Sequence, residues 1–115
     1  MKFLCIVCFA PEVIDQVGPD EWSRIGRDSM AYDQDLERRG HFIDANALQS
    51  AQTATTVRSR NGEMLVTDGP FAETKEHIAG YILIDAESRE QAQRLAADIP
   101  LARLGSVEVR PVMEF

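Results

Sequence analysis

The segment Lys2–Phe9, KFLCIVCF, is apolar at nearly every position, and so is IAGYILI over residues 78–84. Both have strand length, and a strand that is apolar on both faces has to be covered on both faces. Helices are the usual cover, and the sequence offers two long enough to serve. Asp20–Arg39 puts Trp22, Ile25, Ser29, Tyr32 and Leu36 on one stripe with Met30 beside it, Asp20 as N-cap and Gly40 as the stop. A second helix opens at the capping box Ser88-x-x-Gln91, turns Ala92, Leu95, Ala96 and Ile99 inward and ends before Pro100. Such a pair covers one face of one sheet. A second copy of the chain, sheet against sheet about 10 Å apart, is the simplest cover for the other face. The pattern therefore predicts a homodimer.

The rest of the chain fills in the topology. His41–Leu48 reads as a short strand and Gln49–Thr53 as a connection. Ala54–Arg60 and Glu63–Thr67 flank Asn61-Gly62, the residue pair that favours a type I′ hairpin. Ser106–Met113 is the last strand, with Pro111 suited to an edge or a strand end. Strand, helix, strand, inserted hairpin, strand, helix, strand is the order of an α+β, ferredoxin-like split βαβ sandwich. With 115 residues the chain makes one domain, residues 1–115.

Charge and composition narrow the partners. The net charge is −7 and the basic residues are scattered, so a phosphate backbone is repelled and direct nucleic-acid binding is not expected. No apolar run approaches the ~18 residues of a membrane span. MKFLCIVCFA at the start has one basic residue, and Pro11 follows its only small-residue cleavage point, which argues against an export signal. Cys5 and Cys8, three apart on a strand, stand ~10 Å from each other on opposite faces, beyond disulfide reach. Two reduced thiols fit a cytoplasmic protein.

The stretch DGPFAETKE, residues 68–76, spends more residues than a strand connection needs. Phe71 is expected to anchor the loop in the core and hold Asp68 at a cleft, where lost solvation would suit the carboxylate to general-base work. An Asx turn capping the Gly69-Pro70 amides is the structural alternative for Asp68. Glu73, Lys75 and Glu76 are expected as rim charge or in ion pairs. His41 is the candidate partner of Asp68, as acid or orienting group, with a strand-end histidine as the alternative; the same choice applies to His77. Tyr32, on the inward helical stripe, is expected near Asp68 at a pocket between sheet and first helix. Arg58, like Arg110, is placed either to bind an anionic substrate or to pair with Glu63, Asp68 or Glu108. Two histidines and no Cys/His cluster give no zinc pattern, and no P-loop, dinucleotide or G-x-S-x-G motif occurs, so neither metal nor cofactor is expected.

ATTVRSRNGEMLVTDGPFAETKEHIAGYILID followed by IPLARLGSVEVRP, together with MAYDQDLERRGHFIDANALQ, resembles the DGPF-type proteins of the YCII-related superfamily. The likeness runs from Phe3 to the C-terminus. It departs from the family pattern only at His77-Ile78-Ala79-Gly80 and Gln49-Ser50, beside the loop. The resemblance implies a bacterial protein with a dimeric ferredoxin-like α/β-barrel fold. It implies either a small-molecule enzyme of lyase, isomerase or hydrolase type with a His/Asp pair, or a non-catalytic dimer. The latter would bind a ligand or protein and act in regulation beside an extracytoplasmic-function sigma factor.

Overall fold

The computed structural model describes residues 1–72 and 74–115. Its elements are β1 Lys2–Phe9, α1 Pro11–Gln16, α2 Pro19–Arg38, β2 Phe42–Ala47, β3 Thr55–Arg60, β4 Glu63–Asp68, β5 His77–Asp85, α3 Arg89–Ala97 and β6 Ser106–Pro111. Single turns of 3-10 helix lie at Ala51–Thr53 and Pro100–Leu104. Four strands form one antiparallel sheet in the order β2-β5-β1-β6, while β3 and β4 pair only with each other. That is the split βαβ sheet with an inserted hairpin.

Alternation sorts the sheet into two faces. Phe3, Cys5 and Val7 of β1 and Ile82 and Ile84 of β5 are buried against Leu36 of α2 and Ala92, Leu95, Ala96 and Ile99 from the α3 segment. Both long helices therefore lie on this face. Leu4, Ile6, Tyr81 and Leu83 alternate to the other face and stay half-buried. The whole chain is a plate of 46 × 43 × 19 Å, too thin for a second helical layer. Gly80 shows how closely the strands approach: a Cβ built there would stand 2.7 Å from the carbonyl oxygen of Asn46 on β2.

Local chemistry explains the element ends. After α2, Gly40 takes φ +80°, the His41 amide donates to the Leu36 carbonyl at 2.8 Å and the Gly40 amide to Glu37 at 3.1 Å, the Schellman pattern. Asn61 and Gly62 both have positive φ, as a type I′ turn requires. Ser88 caps α3 through the Gln91 amide at 3.1 Å, and the Gln91 side chain accepts from the amide of Glu87, one residue before the cap. Some expectations need correction. Pro11 opens a short helix, because a proline at the first helical position gives up an amide that has no partner there. Pro19 does the same for α2, so Gly18 is its N-cap and Asp20 lies inside the first turn. Ile78 is 51% exposed, unlike Ile82 and Ile84, because the β1–β5 register shifts between Val7 and Cys8. Cys5 is buried and Cys8 half-buried, and both are free.

Candidate functional site

The hairpin β3–β4 leaves the sheet where β2 ends and returns where β5 begins. Its base is tied by the Gly69 amide, which donates to the Ala54 carbonyl at 2.7 Å, and by the Thr56 hydroxyl, which donates to the Gly69 carbonyl at 2.8 Å. Gly69 has φ +96°, a conformation glycine adopts without strain. Between the chain leading into the hairpin and the DGPF loop leading out lies a cleft of about 660 Å³. Leu48, Val57, Phe71 and Ile78 give it apolar walls; Ser50 and Thr53 add hydroxyls, and Glu76 and His77 add titratable groups. Next to it the Ser106 hydroxyl donates to the Glu76 carboxylate at 3.1 Å. Thr74 Oγ1 makes a short bond to the Glu76 carbonyl. Cys8 stands at the same end of the sheet, opposite Ile78 and Ser106. Its thiol is pushed up by burial and then by the charges of Glu76 and Glu108, so it is a poor nucleophile.

The residues singled out from the sequence are dispersed. Asp68 ends β4 opposite Thr55. Its carboxylate is exposed, does not line the cleft, and makes no side-chain hydrogen bond among the described residues. The Asx turn is therefore not formed either, and Gly69 carries the turn instead. Phe71 does reach the cleft, but its ring is 76% exposed. The expected burial fails because the hairpin stands clear of the sheet and its loop has no core to enter. His41 lies at the far end of the molecule: its Nδ1 is 2.8 Å from the Asp85 carbonyl, at the last residue of β5. The loop after Asp68 enters β5 at His77, and β5 spans roughly 25 Å at ~3.3 Å per residue. One chain does not bring Asp68 and His41 together.

Tyr32 is spent on structure. Its hydroxyl donates to the Leu95 carbonyl at 2.6 Å and joins α2 to α3; burial raises its pKa, followed by the charge of Asp98. A pocket between sheet and α2 does exist, about 130 Å³, but Ser29 and Asp33 line it rather than Asp68, His41 or Tyr32. Burial pushes the Asp33 carboxyl up. Arg58 is half-buried on β3, off the cleft, and neither it nor Arg110 forms an ion pair among the described residues. Within the hairpin Arg58 stands opposite Leu65, while Glu63 stands opposite Arg60 and Asp68 opposite Thr55, so neither carboxylate faces Arg58 directly. Glu73, expected as rim charge, lies outside the described residues. His77, weighed as a strand-end residue, lines the cleft together with Glu76. Its place beside the departure from the usual loop sequence was the signal available for it. Among the described residues no group of three His, Cys, Asp or Glu side chains gathers to hold a metal ion, and no helix is long and apolar enough to cross a membrane.

An α+β sandwich with a hairpin-bounded cleft is the class of protein that fold and site define. The profile of the YCII-related domain matches residues 1–115, and the chain belongs to that family. An uncharacterized protein of Rhizobium meliloti (strain 1021) is 36% identical over 110 residues, covering 93% of this chain and 89% of that relative.

Proposed function

We propose that the chain is a homodimeric small-molecule-binding protein whose site is the cleft between residues 48–57 and the DGPF loop. The observation that carries the reading is the cleft itself. Its volume of about 660 Å³ falls within the range of small-molecule sites, ~300–1,000 Å³, and its make-up, apolar walls with a few converging polar groups, is also theirs. The ligand it suits is a small, largely apolar molecule with one polar group. Phe71 offers it a ring face, and Ser50, Thr53 or His77 a hydrogen bond. The dimer reading rests on the half-buried row Leu4, Ile6, Tyr81 and Leu83, on the sheet face away from both helices. Turnover by Asp68 and His41 draws no support from their places in one chain, which is why ligand binding is preferred to general-base catalysis.

A metabolite-library thermal-shift screen on wild type, Phe71→Ala and Asp68→Asn tests the site. A ligand that binds only the folded form raises its stability by mass action, about 2.7 kcal/mol at a hundred times Kd. The expected result is a hit lost in Phe71→Ala and kept in Asp68→Asn. A hit lost in Asp68→Asn and kept in Phe71→Ala would return the site to the carboxylate.

A further inference from the structure

The hairpin is the part of the molecule that its own chain leaves unsupported. Val57, Met64 and Val66 share one of its faces and are 59%, 72% and 56% exposed, and Leu65 on the other face is 46% exposed. An isolated two-stranded hairpin is marginally stable at best in water and needs a further strand, helix or sheet against it. Its sequence nevertheless commits to the hairpin at every level: β-branched residues, the Asn61-Gly62 turn, and a ladder unbroken from Thr55–Asp68 to Arg60–Glu63. Something outside the chain therefore covers it.

We infer that the cover is a second copy of the chain, and that each hairpin lies across the mouth of the partner's cleft as its roof. Charge limits how a second copy of this chain can approach. The chain carries −7 overall, so two copies repel. The hairpin itself is neutral, because Arg58 and Arg60 balance Glu63 and Asp68, and it can approach without that penalty. Shape agrees. The cleft's own apolar residues Leu48, Phe71 and Ile78 are 53%, 76% and 51% exposed, which leaves a ligand there half in water. The apolar hairpin face and the apolar cleft mouth lie in one continuous stretch of chain, so a two-fold axis can bring each against the other's counterpart. The site of the proposed small-molecule function is then shared between subunits, a conclusion that rests on that reading only for the ligand and not for the hairpin contact.

The contact is tested by isotope-filtered NOE on dimers that mix chains carrying 13C-methyl valine and methionine with unlabelled chains. Cross-peaks are expected from Met64 and Val66 methyls to Leu48, Phe71 or Ile78 of the partner subunit. A dimer whose hairpin methyls show no signal to the unlabelled chain, or a monomer by light scattering, overturns the inference. The roof is tested with Nile red as an apolar probe. Met64→Glu with Val66→Glu is expected to weaken dye binding about tenfold or more while light scattering still reports a dimer; unchanged dye affinity in a folded double variant overturns the roof. If wild type binds no dye but the inter-subunit NOEs are present, the ligand reading of the cleft fails and the hairpin contact stands.

Discussion

The sheet with its helices and the hairpin are built from similar residues and reach opposite outcomes. In the first, β-branched and aromatic side chains find α2 and α3, and Phe3, Leu36 and Ile84 become almost completely buried. In the second, an equally well-formed ladder leaves Val57, Met64, Leu65 and Val66 in water. Backbone pairing and side-chain burial are thus separable here. Sequence can specify a strand pair completely while leaving its apolar side chains without cover from the same chain.

Substitutions sharpen that contrast. The largest effect is expected in the sheet: Phe3→Ala should cost about 3–5 kcal/mol in chemical denaturation, since the ring is fully enclosed. A loss under about 1 kcal/mol would mean that the core had collapsed around the gap. Gly80→Ala should cost about 1–3 kcal/mol, because the new methyl meets the β2 backbone, which has to shift; an unchanged melting temperature would show β2 to be loosely held. Ser88→Ala should cost about 1 kcal/mol by exposing the first amides of α3. The hairpin should respond least. Asp68→Asn should stay within about 0.5 kcal/mol as a surface change; Phe71→Ala, where a buried ring was expected, should stay within the same range in a single chain, and a larger loss at concentrations where a dimer forms would show that dimerisation buries the ring. The two thiols extend the comparison to chemistry. Burial pushes Cys5 up to about 11, so its thiolate, and hence its alkylation by iodoacetamide, should increase only as the pH climbs toward that value. Cys8 should react first, and Cys5 labelling as fast at neutral pH would mean that β1 opens readily.

The strands, helices and hairpin were legible because periodicity, the capping box at Ser88 and Asn61-Gly62 are local signals. So was the sheet face that the helices leave bare, which follows from counting helices against apolar strands. The site was legible only as a place. The DGPF loop does bound the cleft, but which of its side chains enter depends on how the hairpin stands relative to the sheet, and no periodicity encodes that. The usual burial of aromatic rings points Phe71 to a core, and that average fails where the loop stands clear of its own sheet. Asp68 and His41 were paired because each borders a strand. Strand ends lie at two edges of a sheet, and sequence order alone did not say that β5 would separate them by its full length.

Trp22, the sole tryptophan, has its ring centroid 6.3 Å from that of Phe9 at a tilt of 54°, and Phe9 is laddered to His77 at the cleft. The indole is thus one ring pair and one strand pairing away from a residue that lines the cleft. The molecule carries its own optical gauge. A ligand that displaces β5 at His77 would move the paired Phe9 and with it the surroundings of Trp22, and an emission unchanged at saturation would show the two to be uncoupled. Occupancy could then be followed in unlabelled protein, in real time and from a single wavelength.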